Sequence, residues 1–132
     1  MIGKKIIYGC EARGDADKPY LTRYTLISRP TWQLCLHIFH RSDADDLHDH
    51  PWNFTSFILW RGYIEEIEGG EKKRVWPGMI LRRKSTHKHR VELVNGKKAV
   101  TLVIMGKYCK SWGFFTNGIY TAWREYFQQK GC

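Results

Sequence analysis

Apolar side chains along this chain alternate with polar ones far more often than they recur at three or four residues. Tyr20 to Ser28 (YLTRYTLIS), Trp32 to His40 (WQLCLHIFH), Trp52 to Trp60 (WNFTSFILW) and Ala99 to Met105 (AVTLVIM) are rich in aromatic and β-branched residues. Each predicts a strand, because such side chains fit a pleated, half-buried surface. Shorter segments of the same kind cover Lys4 to Gly9, Tyr63 to Glu68, Glu71 to Trp76, Met79 to Arg83, His87 to Val94 and Trp112 to Thr116. Loops at Glu11 to Pro19 and Arg41 to Leu47, and turns at Gly69-Gly70, Pro77-Gly78 and Asn117-Gly118, separate them. Asn95-Gly96 is the strongest short hairpin signal. Helical spacing is confined to Tyr120 to Lys130, where Trp123 and Phe127 fall one turn apart. Roughly nine or ten short strands with no βαβ alternation predict a single all-β sandwich or barrel domain over residues 1–132, closed by a short C-terminal helix.

Composition agrees with a packed domain. The chain has 132 residues, 42% hydrophobic and 14% aromatic, enough to bury a core without covalent staples. No run reaches the roughly 18 apolar residues of a membrane-spanning helix, and Met1 to Tyr8 is too short for a secretory signal, so a soluble cytoplasmic protein is expected. Cys10, Cys35, Cys109 and Cys132 are widely spaced. That is neither a zinc ribbon nor a disulfide scaffold; Cys35 is expected to be a buried free thiol and Cys132 a mobile terminus. The formal charge of +9 favours anionic partners. Its densest cluster is Arg82-Arg83-Lys84 with Lys88 and Arg90, but basic residues run from Lys4 to Lys130. An anionic small molecule is therefore favoured over nucleic acid.

The chemistry gathers at His48-Asp49-His50, just before the Trp52 to Trp60 run. In a strand, residues i and i+2 point the same way, about 6.5–7 Å apart. Two imidazoles so placed can close on one divalent metal at ~2.0–2.1 Å from each nitrogen. The competing reading is a pair of hydrogen-bonded loop histidines near Trp52. Asp49 faces the opposite side and suits loop structure or support of the site. His37 and His40 lie on opposite faces of their strand and read as satisfied core histidines. Tyr63, Trp112, Arg83 and Arg90 are candidates to shape a pocket, while Trp52, Phe54, Phe57 and Trp60 read mostly as core. No Gly-rich phosphate loop, Ser/His/Asp order or paired catalytic carboxylates occur.

His48-x-His50, four residues, Thr55, six residues and Gly62 resembles the first motif of the cupin superfamily, with Thr55 at the place of the family's glutamate. Pro77-Gly78 to Leu93 resembles the second motif, in which His89 matches the remaining histidine; the proline and glycine usual just before it are replaced here by Lys84 and Thr86. The resemblance spans about Trp32 to Met105 and is stronger in its first half. The string from His48 to Tyr63, with Trp112-Gly113-Phe114, is also similar to small cupin-like proteins of bacteria and phages. The resemblance implies a double-stranded β-helix (jelly-roll) barrel, a metal inside one mouth on His48, His50 and His89, and a homodimer. His87 shares a face with His89 by strand periodicity and competes as the third ligand or adds a fourth. Thr55 is a poor ligand beside a carboxylate, so that place is left to water or substrate. Three neutral histidines with exchangeable waters suit Zn²⁺, Fe²⁺, Ni²⁺ or Mn²⁺.

Three functions compete. A metal-dependent enzyme of dioxygenase, isomerase or epimerase type, acting on a small anionic substrate, leads. The alternative is a non-catalytic module binding a small ligand or a macromolecule. Nucleic-acid binding through Arg82 to Arg90 comes last and would show as steep salt dependence.

Overall fold

The computed structural model describes residues 2–132, so Met1 lies outside the described residues. In chain order the strands are β1 (Gly3–Tyr8), β2 (Pro19–Arg29), β3 (Trp32–Phe39), β4 (Leu47–His48), β5 (Phe54–Trp60), β6 (Tyr63–Ile67), β7 (Lys72–Val75), β8 (Ile80–Arg83), β9 (His89–Glu92), β10 (Ala99–Met105), β11 (Gly113–Thr116) and β12 (Ile119–Ala122), followed by helix α1 (Trp123–Lys130). They form two six-stranded sheets, ordered β1-β2-β3-β10-β5-β8 and β12-β11-β4-β9-β6-β7, and all pairings are antiparallel. This is a double-stranded β-helix, in which the chain passes repeatedly from one sheet to the other.

Apolar side chains from both sheets fill the space between them. Ile58, Leu81 and Ala99 of the first sheet and Tyr63, Val75 and Val91 of the second meet with Leu93, and Phe39 packs against them. A second group, Cys35, Val103 and Met105, packs against Trp52 and Phe54. Burial of such side chains is worth about 1.5–3 kcal/mol each, the main term holding the sheets together.

The turn joining β5 to β6 explains Gly62. Arg61 and Gly62 both have positive φ, 61° and 71°. A Cβ on Gly62 would run into the carbonyl of Val75 and the guanidinium of Arg74. Only glycine satisfies both constraints, and the turn carries the chain from the first sheet to the second.

Four details depart from the sequence reading. Asn95 and Gly96 do adopt positive φ, but the strands they join, β9 and β10, belong to different sheets, so the turn is a crossover and not a hairpin. The first residues of the expected terminal helix, up to Ala122, are strand β12 instead, and Trp123 and Phe127 sit 5.8 Å apart on the short helix that remains. His87 precedes β9 instead of lying within it. Cys132 is no mobile terminus: it forms a disulfide with Cys10, closing a sequence separation of 122 residues. Such pairs persist mainly in oxidising compartments, which weighs against the cytoplasmic expectation. Cys35 is free and buried, as expected. Among the described residues no helix is long and apolar enough to cross a membrane.

Candidate metal centre

His48 lies on β4, a strand of two residues held between β9 and β11, with His89 and Phe114 as its direct cross-strand partners. His50 follows in a loop, so the two histidines of the motif do not share a strand as the spacing suggested. What fixes the loop is Asp49. One of its carboxylate oxygens accepts the Gly113 N–H at 2.9 Å and the other pairs with Lys110. The His50 N–H donates to the Ser85 carbonyl at 3.0 Å, and Asn53 accepts the Ser85 N–H at 2.8 Å. His48, His50 and His89 thereby converge. Their ring centroids stand 5.0, 5.0 and 4.8 Å apart, and one nitrogen from each lies within 4.8 Å of the others.

A carboxylate reaches the site from a place the sequence did not single out. Glu65, on the inner face of β6 between Tyr63 and Ile67, is only 2% exposed. Its Oε2 accepts from His89 Nδ1 at 2.7 Å, His87 Nε2 at 3.1 Å and Arg83 Nε at 3.2 Å, and its Oε1 accepts from Arg83 Nη2 at 2.7 Å. Burial opposes ionisation, but the hydrogen bonds from His87, His89 and Arg83 outweigh it and hold the carboxyl well below its usual range. An ionised carboxylate only accepts, so the Nδ1 of His89 donates to it and Nε2 is the nitrogen left for a ligand role. His87 spends its Nε2 on the same oxygen and joins Glu65 and His89 in a second close set of donors.

Thr55 does not occupy the glutamate's place. The neighbouring Phe54 turns inward, its ring 4.6 Å from His50 and 6.1 Å from His89, so by alternation Thr55 points out of the barrel. Trp52 stacks on His50 at 5.7 Å, while Trp112 and Phe114 approach His48 at 6.2 and 5.8 Å. These aromatics dry the site. Burial first, and then the nearby histidines, push the His48 and His50 rings well below the usual imidazole range, so both are neutral.

The donor set fits a metal ion on an observation independent of any motif. The Nδ1 atom of His50 is buried without a hydrogen-bond partner, and that of His48, also without one, faces the Asp43 carboxylate and leaves Nε2 as the nitrogen for a ligand role. Buried polar atoms are seldom left so, and a neutral imidazole held in an aromatic pocket offers a lone pair for coordination. Behind His48 stands Asp43, whose Oδ2 is 3.7 Å from His48 Nδ1 and accepts the Val91 N–H at 2.8 Å. Burial raises this carboxyl to about 6 against the opposing pull of His89, the Val91 N–H, Arg90 and Arg13.

The other candidates divide. Arg83 is committed to Glu65, and Arg90 donates to the Ala44 carbonyl at 2.9 Å, so the cationic cluster spends two members on the fold. Tyr63 is buried among the apolar core, whereas Trp112 borders the site. Among the aromatics assigned to the core, Trp60 is 49% exposed. His40 bonds Thr22 Oγ1 at 2.8 Å, and His37 accepts from Arg23 Nε at 3.0 Å; neither joins the cluster. Glu65 had one legible signal, an acid between two apolar residues of one strand face.

No family model matches the sequence, and no curated protein matches it. Solved structures do. The polyketide cyclase RemF from Streptomyces resistomycificus aligns with a TM-score of 0.66 at 17% identity, over 83% of this chain and 79% of its own. A mannose-6-phosphate isomerase-like protein from Ralstonia eutropha aligns at 0.58 and 20% identity, over 66% of this chain and 84% of its own. A cupin superfamily protein from Desulfitobacterium hafniense aligns at 0.55 and 14% identity, over 66% and 77%. At these identities the likeness is one of fold: the chain has the double-stranded β-helix architecture of the cupins.

Proposed function

We propose that this protein binds one divalent transition metal on His48, His50 and His89 and uses it as a metal-dependent enzyme on a small anionic substrate. The observation that carries the reading is the convergence of three imidazoles, His50 and His89 buried and His48 half-buried, two with unpartnered nitrogens and the third oriented by Glu65. A metal held there would polarise a carbonyl or activate water. Glu65 would fix the ring plane and tautomer of His89, Arg83 would hold Glu65 ionised, and Trp52, Phe54 and Phe114 would keep bulk water away. Zn²⁺, Fe²⁺, Ni²⁺ and Mn²⁺ all suit a nitrogen-rich set with open positions. The activities of the fold neighbours, cyclase and isomerase among them, support carbonyl or proton-transfer chemistry, which is analogy at the level of fold. Elemental analysis of protein purified without a histidine tag tests the reading. About one equivalent of metal is expected, falling below about a tenth in His48→Ala plus His50→Ala; metal well below one equivalent and unchanged by the double substitution overturns it.

A homodimer is part of the proposal. Its support is the outward face of the first sheet, where Tyr24, Leu36, Leu102, Phe57 and Ile80 form one row across five strands by their register. Contiguous apolar surface of this kind is costly to leave in water. Sedimentation should give a dimer, and Leu36→Lys plus Leu102→Lys a monomer; a wild-type monomer at micromolar concentration contradicts it.

A further inference from the structure

The disulfide between Cys10 and Cys132 joins two segments that both support the histidine cluster. Cys10 opens the single helical turn Glu11–Arg13, and Cys132 ends the chain just after α1. Each segment is tied to the loop from Arg41 to Asp46, which delivers the chain to His48 and carries Asp43. From the first side, Arg13 Nη1 donates to the Ser42 carbonyl at 3.1 Å, and Arg41 stands 3.6 Å from Asp15. Asp15 in turn accepts the Cys10 N–H at 2.8 Å. From the second side, the Tyr126 hydroxyl donates at 2.7 Å to Asp46, two residues before His48. The same helix backs the aromatic wall of the site. The Tyr126 ring stacks on Phe114 at 3.8 Å, Trp123 stacks on Trp112 at 6.0 Å, and Phe127 packs against both. Phe114 is the cross-strand partner of His48, and Trp112 borders the same ring. Alone, α1 would not persist. It has eight residues, against the roughly 12–15 that an isolated helix needs in water. Beyond Phe127, the disulfide and a hydrogen bond from the Glu11 N–H to the Gly131 carbonyl, 3.1 Å long, fasten its end to the first turn.

We propose that Cys10–Cys132 is a redox site that clasps the metal centre: reduction by a dithiol loosens α1 and the loop before His48, and the metal leaves faster. The metal released rests on the proposed function; the loosening does not. Cys132 is exposed, and a hollow of about 100 Å³, lined by Arg13, Asp46, Tyr126 and Lys130 among others, opens beside the buried Cys10. A thiolate of the dithiol attacks the Cys132 sulfur, the S–S bond breaks, and Cys10 departs as a thiolate. The second thiol of the reductant then displaces Cys132 from the mixed disulfide. The dithiol is thereby oxidised to its own disulfide, and its two protons end on the two cysteines. Arg13 and Lys130, both lining the hollow, favour the departing Cys10 thiolate. The closed form belongs to oxidising surroundings and the open form to reducing ones, so the clasp couples metal retention to the compartment.

The test uses the whole chain loaded with zinc, with and without a water-soluble phosphine that opens the disulfide. Alkylation in denaturant followed by mass spectrometry should find Cys35 and Cys109 free, and Cys10 and Cys132 paired until the phosphine is added. Zinc transfer to a colorimetric chelator should be at least about fivefold faster from the reduced chain. Cys10→Ser should release zinc at that faster rate and ignore the phosphine, whereas Cys109→Ser should respond as wild type does. On reduction, amide hydrogen exchange should rise in α1 and in residues 41–47 and stay unchanged in β3 and β10. Free Cys10 and Cys132 in air-oxidised protein, or zinc release and exchange unaffected by the phosphine, would overturn the clasp. If zinc binds neither form, the metal centre fails, and the exchange of α1 and residues 41–47 alone decides the clasp.

Discussion

His37 and His89 are the same residue buried to the same degree, 6% and 5% exposed, on the inner faces of opposite sheets. What differs is the neighbour. Glu65 accepts a hydrogen bond from His89 Nδ1 and leaves its Nε2 uncommitted; Arg23 donates from Nε to the Nε2 of His37. The first arrangement suits the metal ligand proposed for His89, and the second leaves His37 unsuited to that role. Burial and strand position do not distinguish the two histidines; the charge sign of the group behind each ring does.

The comparison can be broken most severely at the histidines themselves. His89→Ala should lower metal affinity at least a hundredfold in competition with a fluorescent chelator, whereas His37→Ala should leave it within about twofold. Glu65→Gln keeps the shape of the support but loses its charge, and a loss of about 10–100-fold is expected. That variant also strands Arg83 and should melt lower than wild type. For His37 the difference appears in pH dependence. Burial, and then the charge of Arg23, lower its pKa from 6.5 to about 3 in the native state. Between those values the unfolded chain binds the extra proton and the native chain does not, so stability falls as pH drops from about 6.5 toward 3. Urea denaturation should therefore show wild type losing about 2 kcal/mol more than His37→Gln between about pH 7 and about pH 5. The smallest effect is expected from His87→Ala, which removes one of several donors to Glu65 and should weaken metal binding less than about fivefold.

Much of the scaffold was legible because alternation and turn chemistry are local. Ala99–Met105 is the strand its apolar run predicts, and Gly69-Gly70 turns β6 into β7. The crossover at Asn95-Gly96 was misread since a turn's dihedrals do not say which sheet receives the next strand. The disulfide from Cys10 to Cys132 was invisible for the same reason: spacing carries no information over 122 residues. At the site, the histidines stood out, but Glu65 did not. Glu66 and Glu68 flank it in the same acidic segment, and only the pairing of Glu65 with Val91 in register turns it inward. The outward turn of Thr55 was likewise a matter of register, since a shift of one residue exchanges the faces of a strand.

The central claim is that the metal sits on His48, His50 and His89, with Glu65 behind it. X-ray absorption fine structure of the metal-loaded protein addresses this directly. It should resolve three imidazole nitrogens at about 2.0–2.1 Å with one or two oxygen atoms completing the shell, a spectrum unchanged by His87→Ala. Two imidazoles with a directly bound carboxylate, altered by His87→Ala, would place the ion on Glu65, His87 and His89 and contradict the account.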